Sequence, residues 1–227
     1  MMEITYHGHS FVEVTGNDGT TVLIDPFMNE NPWNDSEPAD FDPDLVAVTH
    51  AHFDHVEEST TLETTVLGQA EVASYLETEH GHEDVIGINI GGTYSHGGLS
   101  LTMVQAFHSA GTIGEGDFEG YGGTAAGYII DDGQTRFYHA GDTGLFGDMK
   151  TVISDVYDPD VAAVPIGDHF TMGIDDAAIA VDWLDVDVAI PIHYDTIPQI
   201  ETDPNLFVEA VENAEVHVLD TGEIRSY

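Results

Sequence analysis

The chain has 227 residues, 41% of them hydrophobic, and sets 43 acidic residues against three basic ones, Arg136, Lys150 and Arg225, for a net charge of −40. That length suits one domain over residues 1–227 with a sizeable core. No apolar run reaches the roughly 18 residues of a membrane helix, the absence of cysteine excludes disulfides and thiolate ligands, and Met1-Met2-Glu3-Ile4-Thr5 lacks the basic-then-apolar pattern of a secretion signal.

The acids are spread along the chain rather than gathered in a tail. At ordinary ionic strength such self-repulsion works against a compact state. In about 1 M salt the Debye length falls to roughly 3 Å, and exposed charges cease to feel one another. The composition therefore points to the cytoplasm of a halophile.

Residues 3–25 read as a strand meander: Ile4-Thr5-Tyr6, Phe11-Val12-Glu13-Val14 and Thr21-Val22-Leu23-Ile24 are β-prone, with Asn17-Asp18-Gly19 as the turn between the last two. Residues 26–43, punctuated by Pro26, Pro32, Pro38 and Pro43, form a long surface loop in which Trp33 either caps a site or simply packs. Leu45-Val46-Ala47-Val48 is a buried strand leading into Thr49-His50-Ala51-His52-Phe53-Asp54-His55, read as a loop because a strand-like run precedes its dense donors. Residues 69–79 carry Val72, Ala73 and Leu76 at helical spacing. Strand character returns over 85–90 and over 99–107, which ends on His108. The glycine-rich stretch 109–123 reads as a flexible loop beside the site. Residues 125–130 and 136–138 form a hairpin around Asp131-Asp132-Gly133, and its second strand leads to Asp142.

The last third alternates between helix and strand. Leu145, Met149, Val152 and Ile153 make a helical stripe, and 161–164 is a buried strand. Asp175 and Asp176 open a helix with Ala177, Ala180, Val181 and Leu184 on one face, and 188–192 is a strand ending at His193. Asp203-Pro204 reads as an N-cap followed by proline at the first helical position, and Val216-His217-Val218 is the last strand. A strand-rich start followed by αβ alternation indicates an α/β fold.

Four strands thus lead to His50, His108, Asp142 and His193, and strand ends on one edge are where α/β sheets place ligands. With His52, Asp54 and His55 there are seven donors, too many for one closed four-coordinate metal and suited to two ions with open positions. His50 and His52 can turn to one ion while Asp54 and His55 turn to a second. Imidazole and carboxylate favour zinc, with manganese, nickel and iron also acceptable. His7 and His9, one apart on the first strand, are expected to share a face, with His9 either lining the pocket or serving as a structural histidine.

His50-x-His52-x-Asp54-His55 is accompanied in order by Gly8-His9-Ser10, Ile24-Asp25-Pro26, Phe107-His108-Ser109, His139-Ala140-Gly141-Asp142-Thr143, Pro165-Ile166-Gly167-Asp168, Phe170-Thr171-Met172-Gly173 and Pro191-Ile192-His193-Tyr194. This series resembles the metallo-β-lactamase fold superfamily, and within it the small metal-dependent hydrolase branch related to ascorbate-phosphate lactonase. The resemblance implies a four-layer αββα sandwich. It implies that His50, His52 and His108 hold one metal, that Asp54, His55 and His193 hold another, and that Asp142 bridges them. Asp25 either braces a ligand histidine from behind, as the resemblance implies, or is a turn residue before Pro26. His139 is expected behind the ligands. His169 stands where relatives often carry an amide, and either contacts substrate or lines the cleft.

The implied reaction is hydrolysis of a small-molecule lactone, ester or phosphodiester by a hydroxide that two dications make available near neutral pH, with the same charges stabilising the oxyanion. The lactonase relationship tilts the expectation toward a phosphorylated or sugar-like substrate. Asp54 could also orient the nucleophile or take its proton, so Asp54 and His169 are the candidate catalytic residues. An iron-dependent oxidoreductase and a non-catalytic metal-binding protein are the alternatives. The negative charge argues against a nucleic-acid partner, no membrane partner is expected, and a homo-oligomer stays open.

Overall fold

The computed structural model describes residues 1–113 and 120–227, so part of the expected glycine-rich loop lies outside the described residues. The first half of the chain forms β1 (Glu3–Tyr6), β2 (Val12–Thr15), β3 (Thr21–Ile24), β4 (Leu45–Ala47), the single helical turn α1 (Phe53–Val56), β5 (Val66–Gln69), helix α2 (Ala70–Glu79) and β6 (Val85–Ile88). There follow β7 (Thr93–His96), β8 (Leu99–Gln105), β9 (Thr112–Ile113), β10 (Gly120–Tyr121), β11 (Ala126–Asp131), β12 (Arg136–His139) and a π-helical segment, Met149–Tyr157. The chain continues through β13 (Val161–Pro165), α3 (Ile174–Leu184), β14 (Val188–Ile192), α4 (Pro204–Ala210), β15 (Glu215–Val216) and β16 (Ile224–Ser226).

Two seven-stranded sheets result, ordered β16-β1-β2-β3-β4-β5-β6 and β15-β14-β13-β12-β11-β8-β7, with β9 and β10 as a separate pair. Each sheet has an antiparallel part and a parallel part, the latter β3-β4-β5-β6 and β12-β13-β14-β15. The inner faces bury Tyr6, Val14, Ile24 and Leu45 against Leu101, Tyr128, Phe137 and Ile190. Leu23, Val46 and Val66 on the outer face of the first sheet pack on Val72 and Leu76 of α2. The outer face of the second sheet packs Ile129, Tyr138 and Val164 under Met149, Ile153, Ala177, Val181 and Phe207. This is the four-layer αββα sandwich. All four apolar positions expected on one face of α3 are buried, and Asp203 caps α4 by accepting the Asn205 N–H.

Three differences from the sequence reading have physical causes. The metal motif is not all loop, because His52 is extended but the next four residues close one helical turn. Val152 leaves the apolar stripe, since the wider π-helical turn buries Met149 and Ile153 and exposes Val152. Strands β5, β7, β9, β10 and β16 lie outside the expected strands: β9 and β10 pair with each other within the stretch expected as a flexible loop, and β16, exposed along its length, is held by pairing with β1 across nearly the whole chain.

Because β3, β4, β12 and β14 run parallel to their neighbours, and β8 is reversed twice relative to β12, their C-terminal ends open on one edge. Asp25, His50, His108, Asp142 and His193 all follow those ends.

Candidate metal centre

Asp25 follows β3 in a left-handed conformation, φ 49°, and is fully buried. Its carboxylate accepts the Thr49 N–H at 2.8 Å, the Thr49 hydroxyl at 2.6 Å and the His55 Nδ1–H at 2.7 Å. Thr49 Oγ1 in turn lies 3.0 Å from His50 Nδ1. One buried carboxylate therefore orients His55 directly and His50 through Thr49, and leaves Nε2 of both rings for the cleft.

Two donor groups result, each with its donor atoms within 4.8 Å of one another: His50, His52, His108 and Asp142, and His9, Asp54, His55 and His193. In the first, His52 Nδ1 is 2.8 Å from His50 Nε2 and 3.3 Å from His108 Nε2. Asp142 belongs to both by position, with Oδ2 3.6 Å from His108 Nε2 and 3.1 Å from His193 Nε2, and Oδ1 3.5 Å from His55 Nε2. In the second, His9 Nε2 donates to Asp54 at 3.0 Å, while its Nδ1 accepts from the Thr196 hydroxyl at 2.7 Å.

The donor set fits divalent cations. His55 Nε2 and Asp142 Oδ1 are buried polar atoms without a hydrogen-bond partner, and both face the space between the groups. Unpaired buried polar atoms are uncommon, and a cation bound between these two would supply their partner.

The sequence profile of the beta-lactamase superfamily domain matches residues 20–194. A metal-dependent hydrolase of Haloquadratum walsbyi is 48% identical, covering 98% of both chains. A metal-dependent hydrolase of Staphylococcus haemolyticus is 42% identical over the full length of both. A metallo hydrolase from the archaeon Ignicoccus hospitalis superposes with a TM-score of 0.85 at 36% identity, covering 100% of this chain and 99% of its own. The chain belongs to the metal-dependent hydrolases of the beta-lactamase superfamily.

The electrostatics of the hydrolase suit its donors. Burial lowers His50 well below the usual histidine range, with the neighbouring His55 acting in the same sense, and burial also lowers His52 and His108. These rings are neutral and keep lone pairs for a metal. Burial likewise lowers His55, but Asp142, Asp25 and Asp54 outweigh it and hold the ring well above its ordinary value. Burial opposes ionisation of Asp142 and Asp54, yet the surrounding histidines keep both carboxyls ionised. His9 is lowered to about 4, first by burial and then by His193, so it is a neutral donor to Asp54.

The remaining candidates fall in different places. His7 and His9 do not share a face, because β1 ends at Tyr6 and a turn at Gly8, φ 93°, separates them. His7 pairs with Glu13, 3.0 Å away, and packs on Phe11, away from the donors. His139 is buried, bonded to the Ser10 carbonyl and accepting the Gly141 N–H, so it sets the backbone one residue before Asp142. Trp33 packs edge-on against Tyr6 and Tyr194. His169 is exposed with its ring against Phe170, and it is Phe170 that lines the cleft. Of the two roles open to His9, the fold gives it a place in the cleft beside Asp54, with Thr49 and Thr196 as supports that the motifs do not contain. The local signal for His9 was its place in Gly8-His9-Ser10; Thr196 carries none.

Proposed function

We propose that the hydrolase binds two divalent cations, zinc foremost, one in each donor group, and hydrolyses an ester, lactone or phosphodiester bond of a small molecule. The observation that carries this reading is the position of Asp142, a member of the first donor group that also lies 3.1 Å from His193 and 3.5 Å from His55 of the second, with His55 Nε2 and Asp142 Oδ1 facing each other without a hydrogen bond. When bound, the cations supply a hydroxide nucleophile near neutral pH and an electrostatic sink for the developing oxyanion. The protein's own part is orientation. Asp25 fixes His55 and, through Thr49, His50; His9, held by Thr196, aims Asp54. In the reaction, water adds its oxygen to the electrophilic centre, the bond to the leaving oxygen breaks, and the water's proton ends on the leaving group. Asp54, on α1 and partly exposed to the cleft, is the residue of this chain positioned to carry that proton.

Metal analysis after reconstitution, joined to a screen of generic esters, lactones and phosphodiesters with zinc, manganese or nickel, tests the reading. Two ions per chain and metal-dependent turnover are expected; one ion or none, or no turnover, would overturn it.

The surface charge supports a second part of the proposal, that the enzyme works in the cytoplasm of a cell with molar salt. The 43 acids face three cations, two of which are tied to neighbours, Arg136 to Asp131 and Arg225 to Glu223. The unfolding midpoint should rise steeply from low to molar salt and then level off as screening saturates. A midpoint flat across that range would remove the halophile reading.

A further inference from the structure

The donor groups open into a cleft of about 400 Å³, a size that holds a small organic molecule. Among the described residues, its lining apart from the donors consists of Phe27, Phe53, Ser109, Phe170 and Ile197. Phe27 is buried beside His9 and stands edge-on to Phe53, ring centroids 6.1 Å apart. Phe53 and Phe170 are 56% and 48% exposed, which is unusual for large apolar side chains on so acidic a protein. Among the described residues the exposed phenylalanines are Phe53, Phe107 and Phe170, and Phe107 is the residue before His108. Exposed aliphatic side chains such as Val156, Ile179, Leu206 and Ile224 lie elsewhere, but these exposed phenyl rings stand beside the donors.

What the lining lacks is equally informative. The chain has three cations, and none lines the cleft. Arg136 starts β12, at the end opposite the donors, and bonds Asp131. Arg225 lies on β16 and bonds Glu223, and Lys150 lies in the π-helical segment. A phosphate or carboxylate tail extending beyond the donors would meet phenyl rings and isoleucine with no counter-charge. Among the described residues, a sugar would find only the Ser109 hydroxyl among the lining side chains outside the donor groups.

From this we infer that the substrate is an uncharged ester or lactone carrying an apolar acyl or aryl group, which Phe27, Phe53, Phe170 and Ile197 hold while its carbonyl meets the donors. The inference rests on the hydrolase reading and narrows it, replacing the phosphorylated or sugar-like molecule that the sequence resemblance suggested. Phe53 and Phe170 are the specificity-determining residues: Phe53 immediately precedes Asp54, and Phe170 closes the wall from the turn that leads to α3.

Two measurements in molar salt test it. The first uses the metal-loaded enzyme with p-nitrophenyl acetate, butyrate and hexanoate, and with the mono-p-nitrophenyl ester of adipic acid, whose chain is as long as hexanoate but ends in a carboxylate. Burial of each added methylene should raise kcat/KM about fourfold, the adipate ester should fall at least tenfold below hexanoate, and Phe53→Ser and Phe170→Ser should flatten the chain-length series. The second is calorimetric titration of the metal-free protein with 2-naphthol and with 2-naphthyl phosphate. Naphthol should bind, more weakly in both variants, and the phosphate should not. Equal turnover of hexanoate and adipate esters, or binding of naphthyl phosphate to the metal-free protein as tight as that of naphthol, would overturn the inference and leave the hydrolase reading standing. Naphthol binding that both variants weaken, without turnover of any ester, would support the apolar cleft and overturn the hydrolase reading.

Discussion

Asp142 of the first donor group stands 3.1 Å from His193 and 3.5 Å from His55 of the second, yet the two groups are held to different degrees. In the second group two rings are braced from behind, His55 by Asp25 and His9 by Thr196; His193, left-handed at φ 52°, is held through its backbone N–H, which donates to the His9 carbonyl at 2.8 Å, while its ring Nδ1 is buried without a hydrogen-bond partner. In the first, only His50 has such a brace, through Thr49. His52 and His108 are half-buried, and among the described residues their outer ring nitrogens make no hydrogen bond. Preorganised donors lose less freedom on binding a metal than mobile ones, so the more braced group is expected to be the tighter site.

The sharpest way to break this comparison is to remove the shared residue. Asp142→Ala should abolish binding at both groups, taking metal content from two ions toward none, whereas His108→Ala should empty the first group and leave about one ion. Elemental analysis after reconstitution and desalting decides, and equal losses in the two variants would dismiss Asp142 as the bridge.

Next in size is Asp25→Asn, which touches neither ion but weakens the support of His55 and His50 together. Affinity should fall about 10–100-fold at both sites, as expected when a ligand's supporting partner is lost. Stability should drop by about 1–3 kcal/mol, because a buried hydrogen-bonded group is left imperfectly paired. Competition with a chelator and thermal unfolding of the metal-free protein measure the two effects; an intact affinity would mean that Asp25 serves only the turn before Pro26.

In stepwise titration of the metal-free wild type, the first equivalent should go to the braced group, so that His108→Ala leaves the affinity of that first equivalent within about threefold of wild type. Loss of the tighter phase in that variant would reverse the ranking.

The smallest effect belongs to Thr196→Val, which removes one hydroxyl from His9. A single hydrogen bond contributes about 1 kcal/mol, so affinity at the second group should weaken about fivefold with the first group unchanged. A change at the first group alone would show that the two are not independently held.

How much of this could be read before folding depends on the distance over which each feature is determined. His50, His52, Asp54 and His55 lie within six residues, and the apolar run at 45–48 identifies the strand that carries them. His108, Asp142 and His193 stood out because each follows a β-prone run, and the composition and charge needed no structure at all. The strands and helices with strong local patterns, such as β3, α3 and the capped start of α4, were legible for the same reason. Only the tertiary structure decided what stands behind and around the donors. Thr196 holds His9 across 187 positions with no local signal, and although the resemblance puts Asp25 behind a ligand histidine, only the fold shows that the ring is His55, 30 positions on. The four residues of α1 are too few to show a helical period. The apolar cleft joins Phe27, Phe53, Phe170 and Ile197 from four separate segments, each of which reads locally as an ordinary buried or loop residue. Ligand chemistry is a property of side chains and survives in the sequence; bracing and cleft polarity are properties of contacts between distant segments, and those exist only once the two sheets have packed.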